Sequence, residues 1–597
     1  MTTENIAATV LGPNPFEGNV VHDVWQALPV DVESIHQNVF ENCLAALESV
    51  SRGKSDAIAI YGPAGSGKTH LLSRLQHHLV ATSRGAPDGA TRCMFVAVKL
   101  QTNAAQLWQH VRRRLAADLQ RQTQGVSQLQ RLIAHQLAAA RSEPPGYWVR
   151  ALRVLTSLQE ESVTEHLHQL AAELDLSRDL TVVLDHLVLG RHLHDARAWL
   201  RGESLPETVL TRLGLGGEDG DDREEAARQV VSALCRLAGN TLPIVFCFDQ
   251  IEAIQLHRDD RDALFRFGRM AAELADVGGN VLIISCLQSA LVDELTQSIR
   301  QADRDRIFKR ATVLQPLSPA QVEALIKLRL DASPELASLR RAEPSFPFYP
   351  LDAQTVRTLT ATSPCTPRRV LAHASERFES MRGKAPALVS VENFLEEAFD
   401  TRRRARLAAG GPEDSSVTLE HGMPMLWSIR SATAAVAVPA EDASLGIHAL
   451  LPMAAGTLRV SVRNETNLQS LAARLRKLIA SAENGGPSHR GLIILRDAER
   501  PIRLTAARCR EYINELEQAG ARFETVSAEA LAALEVLREL VSDARSGDLS
   551  FKGEPVSETR VCDWLKRSLD QALVALSERL ELALQDAPST PKDKVAG

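Results

Sequence analysis

Short apolar runs recur along the first half of this chain: DAIAIY (56–61), TRCMFVAVKL (91–100), LPIVFCFDQIE (242–252) and NVLIISCLQ (280–288). Runs of that length, with little polar alternation, predict strands buried on both faces. Between them the apolar positions take helical spacing. ESIHQNVFENCLAALESV (33–50) and DRDALFRFGRMAAELADV (260–277) read as helices, and THLLSRLQHHLV (69–80) places Leu71, Leu72, Leu75 and Leu79 on one face. Strands alternating with helices predict a parallel sheet in an α/β domain. From about 103 to 225 the pattern is mainly helical, broken by SEPPGYW (142–148) and the acidic LGLGGEDGDDREE (213–225).

After Pro316 the pattern stays helical to about Ala408, where AAGGPEDSS (408–416) reads as a linker. A second α/β stretch follows. TLRVSV (457–462) and GLIILRD (491–497) read as strands, and NLQSLAARLRKLIASA (467–482) and AARCREYINELEQA (506–519) as helices. SGDLSFKGEPVSETRVCDWLKRSL (546–569) predicts a turn and a short amphipathic helix around Trp564, with no function assigned to it. The division expected is therefore an N-terminal segment packed on the core (1–55), a core (56–315), a helical lid (316–407), a linker (408–418), a C-terminal α/β interaction domain (419–585) and a disordered tail (586–597).

The chemistry concentrates at Gly62-Pro63-Ala64-Gly65-Ser66-Gly67-Lys68-Thr69, which fits G-x-x-x-x-G-K-[ST] at every fixed position. Glycines let successive backbone N–H groups turn toward phosphate oxygens, Lys68 brings charge to the terminal phosphates, and Thr69 offers a hydroxyl to Mg²⁺. His70 follows at the start of a helix whose positive end faces the same anion. A strand precedes the motif and a helix follows it, as this chemistry requires. The metal's water shell calls for an acid at the end of a neighbouring strand, and Asp249 closes such a strand. Glu252 is the candidate base for the attacking water. ATP and Mg²⁺ are the ligands expected.

These motifs resemble the AAA+ ATPases, and GPAGSGKTHLL is similar to the P-loop of the DnaA and origin-recognition clade. AAA+ proteins usually close the acidic strand with Asp-Glu; here position 250 is glutamine, which cannot act as a base. The D-Q-x-E arrangement instead resembles STAND-type and origin-recognition-related ATPases, which implies slow or partner-gated hydrolysis. By the same resemblance, Ser285 or Gln288 would be a polar sensor at a strand end. Arg306 and Arg310, in DRDRIFKRATVLQPLSPAQVEALIKLRL (303–330), would be arginine-finger candidates reaching a neighbouring subunit, which implies an oligomer. TSPCTPRRVLAHASERF (362–378) resembles the lid's second sensor, with Arg368 the candidate and Arg369 an alternative cap. The long interval from Lys68 to Asp249 implies an insertion. Its end, ARAWLRGESLPETVLTRLGL (196–215), resembles ATPases of bacterial phage-exclusion systems, although Trp199 and Leu200 suit a core better than a ligand contact.

Composition narrows the partners. A length of 597 residues suggests several domains at roughly 150 residues each. The net charge of −7 argues against coating nucleic acid by charge alone, leaving a local patch such as DTRRRARLAAG (400–410) with Arg402, Arg403, Arg404 and Arg406. Eight scattered cysteines, without C-x-x-C, suit reduced thiols, and no signal peptide or membrane span is read, so a cytoplasmic protein is expected. In the C-terminal region, Glu465, Asp497 and Glu499 lack the nearby lysine of a metal-dependent nuclease. The function expected is an ATPase switch or motor in a multi-subunit assembly, with DNA as a partner and a defence role possible. The alternatives are a STAND-like scaffold recognising a protein trigger, or a structural ATP-binding subunit.

Overall fold

The computed structural model describes residues 13–585 except 18–20, 22, 27, 29, 86–91, 102–103, 217–222, 240–241, 256–259, 278, 343–346, 362–364, 382–389, 413, 432–434, 437, 455, 484–488 and 504–505. The tail expected to be disordered (586–597) lies outside the described residues, as do the first twelve residues and the acidic turn at 217–222.

The chain forms two compact units. The first gathers residues 1–203, Thr208–Val389 and Arg545–Val556; the second gathers Ser204–Glu207, Ser390–Ala544 and residues from Ser557 on. The division thus falls before the expected 408–418 linker. The helix Val391–Ala408, expected in the lid, belongs to the second unit because its basic end is held there. Arg402 pairs with Asp543 at 2.7 Å, Arg403 with Asp570 at 2.6 Å, and Arg406 with Glu539. Residues 545–556, expected in the C-terminal domain, belong to the first unit.

In the first unit the apolar runs form β1 (Asp56–Gly62), β2 (Met94–Lys99), β3 (Ile244–Asp249) and β4 (Val281–Gln288). An exposed strand not legible in the pattern, β5 (Arg310–Val313), joins them. The sheet is fully parallel in the order β2-β3-β4-β1-β5. Every residue of β1 and β3 is buried, the expectation for strands covered on both faces. Leu71, Leu72, Leu75 and Leu79 join Ile58, Ile60, Phe95 and Val245 in one cluster, so the helix Lys68–Gly85 seals one face of the sheet.

The helical insertion begins by covering the edge strand. The backbone N–H of Phe95 donates to Gln128 Oε1 at 2.8 Å, Gln128 Nε2 donates to Phe95 O at 3.0 Å, and the N–H of Ala97 donates to Asp118 Oδ2 at 2.8 Å. SEPPGYW breaks the helical run as expected: the helix Gln128–Arg141 stops at Ser142, which takes φ +54°. Pro145 opens the helix Pro145–Ala151, where a missing N–H and a fixed φ are tolerated.

Helices Pro319–Asp331, Pro334–Ala342, Ala353–Ala361 and Pro367–Met381 enclose a second cluster containing Val322, Ile326, Leu330 and Phe378. The N-terminal segment divides its packing. Phe16 sits in this helical cluster, edge-on to Phe378 at 6.1 Å, while Val39, Phe40 and Cys43 of the helix Gln37–Val50 pack with the sheet.

The second unit is also α/β. Its strands β6 (Ala449–Met453), β7 (Gly456–Val462), β8 (Leu492–Asp497) and β9 (Arg522–Val526) lie in the order β9-β8-β7-β6, with only β6 and β7 antiparallel. Of the nuclease candidates, Glu465 and Asp497 are buried and Glu499 is exposed. Glu465 pairs with Arg474 at 3.0 Å, and the Arg496 guanidinium donates to the backbone oxygens of Arg463 and Glu465.

Candidate active site

The parallel sheet brings its strand C-termini to one edge, where an α/β fold leaves a crevice. There the chain encloses a cavity of about 420 Å³, within the roughly 300–1,000 Å³ usual for small-molecule sites. One wall is the loop between β1 and the helix Lys68–Gly85. Gly65 and Gly67 take φ of +73° and +98°, a left-handed backbone that other residues adopt only under strain. Gly65 is required twice over, since a Cβ there would lie 2.7 Å from the Cβ of Arg368. Lys68 Nζ donates to Gly62 O at 2.9 Å and Pro63 O at 3.2 Å, folding the ammonium over the loop.

Asp249 reaches this loop from β3, which is not the neighbour of β1 that the sequence suggested. β4 lies between the two strands, and the pairing of Phe248 with Ser285 and of Gly62 with Gln288 brings all three ends level. The Thr69 hydroxyl donates to Asp249 Oδ2 at 2.6 Å. Burial is the main cause raising the Asp249 carboxyl above its usual range, with the Thr69 hydrogen bond and Lys68 opposing it. Hydroxyl and carboxylate side by side fit a Mg²⁺ site in which either or both act through water.

Glu252 lies on the single turn Ile251–Ile254, beside the same cavity and only 5% exposed. Among the described residues its Oε2 has no hydrogen-bond partner, and burial pushes its carboxyl up to about 7, against the pull of Lys68. Ser66 Oγ is likewise buried and unpartnered. Two orphaned polar atoms beside a cationic cradle fit a bound, hydrated polyphosphate. Away from the loop the lining turns apolar through Val30, Ile35, Leu325 and Leu371, a flank suited to a nucleoside.

Residues 38–284 match the family described as AAA ATPase domain. The matched span contains Gly62–Thr69, Asp249 and Glu252 and stops inside β4. No curated protein matches the chain. Among solved structures, the Aeropyrum pernix ORC1 protein in complex with DNA shares 12% identity with a TM-score of 0.30, over 84% of this chain and 89% of that one. So loose a superposition carries no argument, and the architecture rests on the sheet itself.

Around the glycine loop, the other expected residues separate. His70 lines the cavity, but its Nε2 contacts Val30 O at 3.1 Å, and burial lowers its pKa. Ser285 is a core serine, 1% exposed. Gln288, level with Gly62, donates to Arg545 O at 3.0 Å. Arg368 lies on the glycine loop, while its neighbour Arg369 pairs with Glu554 at 2.9 Å. Arg306 and Arg310 do not reach this chain's own cavity. Arg306 pairs with Asp276 at 3.1 Å, and Arg310 with Asp56 at 2.9 Å at the opposite end of β1 from the glycine loop.

Three residues of the site were missed in sequence. Lys99 ends β2 in register with Asp249 and counts among the charges acting on it. His36, at φ +56°, contacts Ser66 O through Nε2 at 2.8 Å. Asp548 enters from the segment left without a function. Only Lys99 carried a sequence signal, a lysine ending a buried strand.

Proposed function

We propose that this protein is an ATP-hydrolysing switch. The observation that carries the reading is the convergence of Lys68, Thr69, Asp249 and Glu252, whose Oε2 has no partner among the described residues, on one cavity. The loop amides and Lys68 bind the phosphate oxygens, and Thr69 and Asp249 hold Mg²⁺, which when bound neutralises charge on the transferring phosphoryl group. Glu252, poised near neutrality, takes the proton of the attacking water. Gln250, the residue at the usual glutamate position, is excluded as the base by its chemistry.

Core, lid and interaction domain divide this work. The helical cluster around Phe378 carries Arg368 to the loop, so nucleotide occupancy changes the angle between cluster and sheet. An oligomeric assembly with protein partners is the reading that would use Arg306 and Arg310, neither of which lines this chain's own cavity. Nucleic acid is left out of the proposal, because three of the four arginines at 402–406 already face carboxylates. The phage-exclusion likeness is left out too, since Trp199 and Leu200 are buried core.

The test is nucleotide binding and phosphate release with Mg²⁺. Lys68→Ala is expected to lose ATP binding by about 30-fold or more, the value of a charge-assisted hydrogen bond. Glu252→Gln is expected to keep binding and lose turnover. Undiminished binding in the first variant, or undiminished turnover in the second, overturns the reading.

A further inference from the structure

Residues 545–556 form a strap with a small hairpin, Ser550–Phe551 against Glu554–Pro555, closing over the glycine loop. The strap is held along its length. Arg545 donates to Gln255 O, and its own carbonyl accepts from Gln288. A Cβ on Gly547, which takes φ +69°, would lie 2.4 Å from the Cβ of Ala64 in the loop. At the hairpin, Glu554 pairs with Arg369, and Gly553 rests against Ala372.

The tip delivers a carboxylate into the cavity. Asp548 Oδ1 accepts from Arg368 at 2.9 Å, and Arg368 also donates to Gly547 O. Asp548 Oδ2 accepts from Gln250, and Ser546 Oγ lies 3.3 Å from it. Arg368 is only 11% exposed, and the fork it presents to the cavity is occupied by this strap. Burial alone would raise the Asp548 carboxyl, but Arg368, helped by Lys99 and Lys68, holds it below its usual range. An anionic group thus sits among the same cations that a terminal phosphate requires.

We propose that Asp548 is a built-in stand-in for the terminal phosphate, which a nucleoside triphosphate must displace from Arg368 and Gln250 and a diphosphate need not. This rests on the ATP-site reading above. The strap then reports which nucleotide is bound. Because residues 544 and 557, at its two ends, belong to the second unit, its release is passed on through the covalent chain. Glu252 is the better base, since Asp548 is engaged by an arginine whereas Glu252 Oε2 has no partner.

The experiment titrates full-length protein with Mg²⁺ and either the non-hydrolysable triphosphate AMP-PNP or ADP. Asp548→Ala and the isosteric Asp548→Asn are expected to bind AMP-PNP about tenfold more tightly, with ADP changed by less than about twofold. In an Arg368→Ala background the gain should vanish. Independently of any variant, amide exchange across 545–556 in the wild type should rise with AMP-PNP and not with ADP. Equal shifts for both nucleotides, weaker triphosphate binding, a gain that survives without Arg368, or unchanged exchange under saturating AMP-PNP would each overturn the stand-in. So would unchanged affinity with a lowered kcat, which would make Asp548 catalytic. If wild type and Asp548→Ala both bind neither nucleotide, the ATP reading falls as well. If the wild type binds both and the variants match it, only the stand-in falls.

Discussion

Glu252→Gln separates the energetic role of this site from its chemical one. The carboxyl is 5% exposed with one unpartnered oxygen, and its pKa stands at about 7 against an ordinary 4.5. A displacement of that size, at about 1.4 kcal/mol per unit, corresponds to something on the order of 3 kcal/mol. The sign follows from proton binding. Between pH 4.5 and 7 the folded chain holds the proton more tightly than the unfolded chain, so stability from this group is complete below that window. It is lost as pH rises through 7. Glutamine never ionises. Nucleotide-free Glu252→Gln should therefore unfold at higher urea than wild type at pH 8, with the difference shrinking toward zero at pH 4.5. The same variant should bind ATP and fail to turn it over, while wild-type kcat climbs from pH 6 to 8. Parallel urea midpoints across the pH range would refute the buried-acid reasoning.

Gly65→Ala should weaken AMP-PNP binding in a titration, because it strains a backbone at φ +73° by about 1 kcal/mol and pushes against Arg368. Arg310→Ala should lower stability by about 1 kcal/mol in urea, since Asp56 is 8% exposed and loses its partner, whereas Arg306→Ala, an exposed pair, should change stability by less than about 0.5 kcal/mol. A turnover loss in Arg306→Ala, restored by mixing with Lys68→Ala protein, would identify it as serving a neighbour. Cys562 should be the one thiol that reacts quickly with Ellman's reagent in folded protein, because the other seven cysteines are buried, and unfolding should release the rest.

The candidate site was legible where local pattern and chemistry coincide. Ala57–Tyr61 and Ile244–Phe248 have no solvent face, so their apolar runs are unbroken, and the glycine loop must use residues that tolerate positive φ. Arg368 was legible beside Pro367, which begins the helix that delivers it. Asp548 was not, because its partner Gln250 is 298 residues away and the local pattern shows only a turn. The strands Ala449–Met453 and Arg522–Val526 also escaped notice. They edge the second sheet and are partly exposed, so neither a continuous nor an alternating pattern marks them. In the helix Ser415–Ser431, Gly422 and Pro424 imitate a break. The glycine is there for contact, since a Cβ would stand 2.4 Å from Leu534.

The Gln128 carboxamide, giving one hydrogen bond to Phe95 and taking another, imitates a single rung of an absent sixth strand. With Asp118 silencing the next free amide, that flank has no row of open backbone groups left to offer a passing chain. The opposite flank ends in four residues, with Val313 49% exposed. Any extension of this sheet by another molecule is thereby confined to one side, and the insertion gives the layer a direction that its strands alone would not impose.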